Sequence, residues 1–530
     1  MSASENEPRE ERKKKKEKKK IKKEEKLSVT AKEKEENEAQ KPEVNSSECV
    51  LLRGIFKVGK KSHDVLLTST TLTWTPIMPE SPIGEVCSLR PGVLMLRDVF
   101  AAKVKRRRAA GQPSGGPVLG IALFYCKRRG RRLVEETLHL HNASSEHAHT
   151  WYNTLKKLLT GFSSRPRCVK VFINPSSHKK EAVYIYREHV APLFKMADVR
   201  TDITVTEMRG HALSVMKELK LDEFDGVVCV GGDGSVAELC HALVLRAQLD
   251  AGSPESPVRA PLPLGIIPAG STDVVSCSVH GVRDPVTAAM HIILAGGHVQ
   301  LLLAGTAAAL RLLRHVWLWG AEPGAGREEE VDAVVTATAD DCQLSFRASD
   351  TNNTPSEQLD EEQDQDQNGD LEGAESWTTV QGLYLSISIM AIPCLSPHAP
   401  RGLAPNTRLA NGSAELIAVG DTSRSEFIKH LKRYSTSSGQ FNSSFVETHA
   451  VSAVRLCPRK MIGCSEEESE DDSKMTAIIQ PEAASVFPWN IDGELVEIPN
   501  EVLIRVHPGL ITLYGEEVHE AESNVSCSCI

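Results

Sequence analysis

The sequence predicts a multidomain chain: a small antiparallel β domain closed by a helix, then an α/β domain on a parallel sheet, then a C-terminal β-sandwich. Three observations predict it. Residues 47–162 carry short apolar or alternating runs separated by turn residues. Residues 163–297 repeat strand, loop and helix, the order that builds a parallel sheet with helices on its faces. Residues 342–516 return to β-type runs with few helices. With 530 residues, 40% hydrophobic and 25% charged, the chain has material for several cores, which excludes a wholly disordered polypeptide. Lys+Arg 62 against Asp+Glu 71 leaves a net charge of −9, which does not suggest a dedicated nucleic-acid binder.

Residues 1–46 are almost all Lys, Glu, Ser and Asn and read as a disordered basic and acidic arm. Its block Lys13–Lys16 and Lys18–Lys20 suits a nuclear address, a contact with an anionic surface, or a solvated charge run. The arm has no apolar h-region, so no secretory signal is expected. The run from Leu301 is broken by Arg311, Arg314 and His315, so a membrane span is not expected either. The 13 cysteines include no CxxC pair, and paired zinc-ligand spacing is missing. Cys229 in GVVCV reads as a small buried hydrophobe, and the expected compartment is reducing and intracellular. The ending Cys527-Ser528-Cys529-Ile530 has the Cys-a-a-X form, but Ser528 is a poor aliphatic position, and residues 517–530 read as a frayed tail.

In the first domain the runs VLLRGIFKV, DVLLTSTTLTWTPI, VLMLRDVF, LGIALFYC and TLHLHN are strand candidates. Trp151, Leu155, Leu158 and Leu159 then share one helical face. Many short strands closed by one Trp-bearing amphipathic helix resemble a pleckstrin-homology domain. On such a domain the cluster Lys103, Lys105, Arg106, Arg107 and Arg108, with Arg128, Arg129, Arg131 and Arg132, could bind phosphoinositide headgroups; the alternative is a solvated charged loop. KVKRRR also suits a nuclear or nucleolar address, and no aromatic residues interleave with it to make a stacking platform for nucleic acid.

In the α/β domain CVKVFI, TDITVTEM, DGVVCV and LPLGIIP are the strands, and NPSS, GGDGS and PAGSTD follow three of them. Ligands of such sheets sit at the carboxyl ends of strands. Gly231, Gly232 and Gly234 would let a backbone approach a phosphate chain, and the helix opening at Ser235 supplies N–H donors. Asp233, held there, could orient Mg²⁺ or accept a proton from an attacking hydroxyl. Residues 350–376 form an acidic low-complexity loop, and Ser465–Ser473 is a second acidic run.

The phrases DGVVCVGGDGS, LGIIPAGSTD, PRGLAPNTRLANG and FPWNIDGELVEI resemble the diacylglycerol kinase catalytic family, which includes sphingosine and ceramide kinases, and within it the ceramide kinase group, nearest to its ceramide kinase-like branch. The resemblance implies a nucleotide-binding α/β domain and a β-sandwich with ATP and Mg²⁺ between them, and a lipid hydroxyl as phosphoryl acceptor. It assigns Asn174, Pro175 and Ser176 to the first nucleotide loop and Asp233 to the proton acceptor. It assigns Glu238 to a nucleotide contact, Ser271 and Thr272 to the loop after the fourth strand, and Asp492, Gly493 and Glu494 to a late acidic motif touching nucleotide or metal.

Three departures follow. The first loop continues as Ser176-Ser177-His178-Lys179-Lys180, without the family's glycines. The family's Asp-Gly appears as Asn411-Gly412, and an amide cannot supply a carboxylate's charge. Residues 298–341 diverge where the family holds its acceptor lipid. The expectation is a protein of lipid-kinase fold with little or no ceramide kinase activity, in intracellular sphingolipid-related signalling. It would act through nucleotide, protein or membrane-lipid partners, phosphoinositide or sphingolipid. It is expected in cytoplasm and nucleus or nucleolus, with peripheral membrane association that includes the endoplasmic reticulum and Golgi. The alternative is an active ATP-dependent kinase of ceramide or a related lipid.

Overall fold

The computed structural model describes residues 49–77, 91–107, 115–253, 256–295, 298–306, 336–349, 377–409, 412–434, 441–458, 487–492, 494–498 and 502–521. The arm, Arg108, the acidic segments 350–376 and 465–473, most of segment 298–341, Asn411, Gly493 and the last residues of the tail lie outside the described residues.

The first unit is one antiparallel sheet built from β1 (Leu52–Val58), β2 (Lys61–Leu67), β3 (Thr71–Pro76), β4 (Gly92–Met95), β5 (Val99–Arg106), β6 (Val118–Arg129) and β7 (Arg132–His141), in the order β4-β3-β2-β1-β7-β6-β5. Helix α1 (Ser145–Thr160) closes it. Ser144 starts the helix, its hydroxyl accepting from the His147 N–H. Trp151 and Leu155 are buried, and the Trp151 indole meets the Phe56 ring edge-on at 4.8 Å.

The second unit alternates β8 (Cys168–Ile173), α2 (Ala182–Ile185), α3 (Ala191–Met196), β9 (Arg200–Val205), α4 (His211–Glu218), β10 (Gly226–Gly231), α5 (Asp233–Ala251), β11 (Leu264–Pro268), α6 (Val274–His280) and α7 (Pro285–Leu294). Its strands pair in parallel in the order β11-β10-β8-β9, and Val169, Val171, Val228, Val230 and Ile267 form the centre of the core. Phe100, Ala101, Cys126 and Leu133 from the first unit enter the same core. The Leu133 N–H donates to Thr287 Oγ1 on α7 at 3.0 Å. Arg128 forks onto Glu516 at 2.8 and 2.6 Å, and Lys103 pairs with Asp198 at 2.7 Å. Several cations of the expected lipid-binding cluster are thus engaged within the protein, Arg129 with Glu136 among them.

The remaining strands are β12 (His298–Thr306), β13 (Thr336–Ala348), β14 (Thr378–Met390), β15 (Ala414–Gly420), β16 (Val446–Pro458), β17 (Phe487–Ile491), β18 (Glu494–Ile498) and β19 (Val502–Tyr514), with α8 (Arg424–Arg433) between β15 and β16. β13 pairs with β14 and β16, and β15 also pairs with β14 and β16, so the four strands close on themselves around Leu344, Phe346, Leu416, Val454 and Leu456. β19 then ties this unit to the parallel sheet. It pairs antiparallel with β16 and β12 and, at Leu513, parallel with Leu264 of β11. The Tyr514 hydroxyl donates to the Asp225 carbonyl at 3.1 Å, which anchors the C-terminal strand in the α/β core.

Candidate functional site

Three loops meet at the carboxyl edge of the parallel strands. After β8, the Asn174 carboxamide oxygen accepts from the Ser176 N–H at 3.0 Å, and its NH₂ donates to Ser235 Oγ at 2.9 Å. One amide therefore shapes the first loop and ties it to the first turn of α5. Pro175 is half-buried and Ser176 exposed. Beyond them, His178 and Lys180 have φ of 43° and 63°, the left-handed region where only glycine sits without strain.

The loops after β10 and β11 touch backbone to backbone. A Cβ on Gly270 would lie 2.5 Å from the Gly232 Cα, and one on Gly231 would lie 2.7 Å from Ser235 Oγ. Glycine at these places is a packing requirement. Gly234 is exposed with open space beside it, so the backbone at the start of α5 can be approached. These features fit a phosphate chain at Gly231–Ser235, whereas the β8 loop offers side chains in place of the expected small residues.

The acidic residues are placed less as expected. Both Asp233 carboxylate oxygens accept backbone N–H groups, from Val274 and Val275 at 3.0 Å each, so the side chain caps α6. Glu238, one turn into α5, accepts from the Ala212 N–H at 3.0 Å and caps α4. Asp233 and Glu238, assigned by resemblance to the proton acceptor and a nucleotide contact, thus each finish a helix start. Ser271 is exposed and Thr272 half-buried, on the turn between β11 and α6.

Asp492 occupies the turn between β17 and β18, where Ile491 pairs with Glu494 and the Asp492 φ is 51°. Asp-Gly is favoured in such two-residue hairpins because both turn residues need positive φ. The hairpin brings Asp492 within electrostatic reach of Cys394, as is Asp233 from much earlier in the chain. Burial pushes the Cys394 thiol up to about 12, and the charges of Asp233, Asp492 and Glu415 push the same way. Burial likewise holds the Cys240 thiol of α5 at about 12, with Asp492 as its charged neighbour. Asp492 is exposed, yet the protein packed round its carboxyl raises it. For Glu494 the described feature is its backbone pairing. Among the described residues, no group of three His, Cys, Asp or Glu side chains gathers to hold a metal ion.

Residues 168–303 match the diacylglycerol kinase catalytic domain, and residues 320–530 match the ceramide kinase C-terminal domain. The chain is 42% identical to a Homo sapiens ceramide kinase-like protein, over 90% of this chain and 92% of that one. It is 32% identical to Homo sapiens ceramide kinase, over 70% of this chain and 78% of that one, and 30% identical to the Mus musculus ceramide kinase, over 72% and 80%. The chain belongs to the ceramide kinase family. Between the two domain matches lie residues 304–319, inside the segment read as divergent.

In this member of the ceramide kinase family, two residues not singled out in the sequence organise the site. Asp273, 2% exposed with φ of 54°, accepts from the Gly270 N–H at 2.8 Å and from Arg283 Nε at 2.6 Å. Arg283 also donates to the Gly270 carbonyl. Burial raises the Asp273 carboxyl, and the Arg283 guanidinium opposes that shift. The position of Asp273, straight after PAGST and before an apolar run, carried the signal of a helix start. Arg283 lies ten residues on, and no local pattern joins the two.

Proposed function

We propose that the chain has a lipid-kinase fold with little or no ceramide kinase activity and acts by binding in intracellular sphingolipid-related signalling. The observation that carries this reading is the engagement of Asp233. A proton acceptor must direct an oxygen at the substrate hydroxyl, and here each oxygen already receives an N–H of α6, so such a role would fall to the remaining lone pair of an oxygen committed to the helix start. Taking a proton would weaken one of those hydrogen bonds at the helix start. The glycine-free β8 loop supports the same reading, because side chains occupy the place of backbone donors.

If the chain is active, its cofactor is ATP with Mg²⁺, which would sit at Gly231–Ser235, with Asn174, Thr272 and Asp492 as the contacts the family assigns, and would supply the phosphoryl group. We divide the chain at residues 46, 162, 297, 341 and 516, with a pleckstrin-homology-like first unit and a sandwich built on β13–β16. The seven-stranded sheet closed by α1 supports the first assignment, and the mutual closure of β13–β16 supports the second. Membrane lipids and protein partners are its binding partners, in cytoplasm and nucleus with peripheral membrane association.

The alternative, an active ATP-dependent kinase of the ceramide primary hydroxyl, draws on the intact Asn174–Ser235 bridge and on the charges of Asp233 and Asp492 both reaching Cys394. Transfer of labelled γ-phosphate to ceramide, sphingosine and diacylglycerol separates the two. The expected result is transfer no higher than in an Asp233→Asn variant whose melting confirms folding. Transfer that disappears in that variant overturns the proposal. Calorimetry with ATP and Mg²⁺ then reports whether nucleotide still binds.

A further inference from the structure

We propose that α8 is a membrane-facing element that lies on an anionic lipid surface, with Ile428 and Leu431 entering the bilayer boundary and Arg424 and Lys432 at the headgroups. This deepens the membrane-association reading by naming the surface, and it holds whether or not any phosphoryl group is transferred.

The helix has two unlike faces. Phe427 turns inward to a cluster with Met390, Cys394, Ile417 and Val274, and His430 is buried beside it. On the outer side Ile428 is 42% and Leu431 50% exposed. At 3.6 residues per turn, Arg424, Ile428, Leu431 and Lys432 fall within an arc of about 100°. Leu383, 51% exposed, stands next to the helix entrance, its carbonyl accepting from the Asp421 N–H at 3.2 Å. The sequence RSEFIKHLKR carries Arg424, Lys429, Lys432 and Arg433 against Glu426 alone, on a chain whose net charge is −9; Lys429 pairs with that Glu426 at 2.6 Å, and Arg424 and Lys432 share the outer arc. Exposed aliphatic side chains ringed by long cationic ones are complementary to an anionic bilayer: the aliphatic groups bury area, while lysine and arginine stems reach the headgroup plane. A neutral surface would satisfy the first feature and leave the second unmatched.

Position adds to composition. The inward face shares its cluster with Val274, whose N–H is held by Asp233, so a bilayer under α8 is one packing layer from the candidate site. The cations expected to read lipid on the first unit are less suited. Lys103, Arg128 and Arg129 are tied to Asp198, Glu516 and Glu136.

The test is co-sedimentation of the full chain with phosphatidylcholine vesicles, with and without phosphatidylserine. The variants are Ile428→Ser/Leu431→Ser, Arg424→Glu/Lys432→Glu and, on the first unit, Lys105→Glu/Arg106→Glu. The expected result is binding that requires phosphatidylserine and falls about 10-fold in each α8 variant, with melting unchanged because the positions are exposed. Partition of both α8 variants equal to the parent overturns the proposal, as does equal binding to pure phosphatidylcholine. Loss confined to the Lys105→Glu/Arg106→Glu variant moves the contact to the first unit and also overturns it. Sedimentation velocity in which the α8 residues control self-association, with vesicle binding unaffected, assigns the face to a second copy instead.

Discussion

The loop after β8 and the pair of loops after β10 and β11 border the same edge, and they differ in what glycine does for them. At Gly232 and Gly270 two backbones touch, so a side chain on either would separate strands that must stay adjacent. In the β8 loop, positions with left-handed backbone are occupied by His178 and Lys180, and the turn still closes through the Lys180 N–H on the Ser177 carbonyl at 2.8 Å. Glycine demanded by backbone-to-backbone contact is present, while the left-handed positions of the β8 loop carry side chains. A phosphate-binding signature in sequence therefore mixes two requirements, and GGDGS alone does not show which one preserved it.

The comparison breaks if the β10–β11 side can be loosened cheaply. The largest effect is expected from Arg283→Ala, which leaves the buried Asp273 carboxylate without its partner and should cost about 4 kcal/mol in urea unfolding. A loss below about 1 kcal/mol would mean that the Gly270 turn is held by other contacts. Next is acid sensitivity. His280 of α6 and His291 of α7 meet Nδ1 to Nδ1 at 2.7 Å, and His280 Nε2 reaches the Ile266 carbonyl of β11 at 3.1 Å. Burial, with the neighbouring ring, lowers His280 from the ordinary 6.5 to about 3; burial, with Arg128, lowers His291 to about 4. The unfolded chain takes up protons first as pH falls, so this stability is present above pH 6.5 and lost toward pH 4. A single ring accounts for about 3 kcal/mol of that loss, and His291→Gln, which removes one of the two, should flatten the profile. An unchanged slope in that variant would place the acid sensitivity elsewhere. Gly270→Ala, by forcing the two loops apart, should cost about 2 kcal/mol.

Much of the α/β unit was legible because its strands are short apolar runs with turn residues directly behind them, as in GVVCV before GGDGS. Trp151 and Leu155 marked the closing helix by spacing alone. The capping of α6 by Asp233 was not legible. Whether its carboxylate faces a substrate or the start of α6 depends on how closely the β10 and β11 loops approach, a tertiary fact. The closure of β13 onto β16 was hidden for the same reason, since Leu344 and Leu456 pair across more than a hundred residues. Asp492 was half legible: Asp-Gly announces a hairpin, but nothing local places that hairpin beside Cys394.

The smallest effect sharpens the comparison from the other side. If the β8 loop keeps His178 and Lys180 in left-handed backbone without a packing reason, replacing them should relieve strain. The αL conformation costs a residue with a Cβ roughly 1 kcal/mol, and the extra freedom glycine gives the unfolded chain offsets part of the gain. The double variant His178→Gly/Lys180→Gly should therefore raise stability by about 1 kcal/mol, read as a higher urea midpoint at unchanged slope. The Asn174–Ser235 bridge should persist, because neither replaced side chain takes part in it. A fall in stability would show that the two side chains hold the loop, and that the edge is built on one principle rather than two.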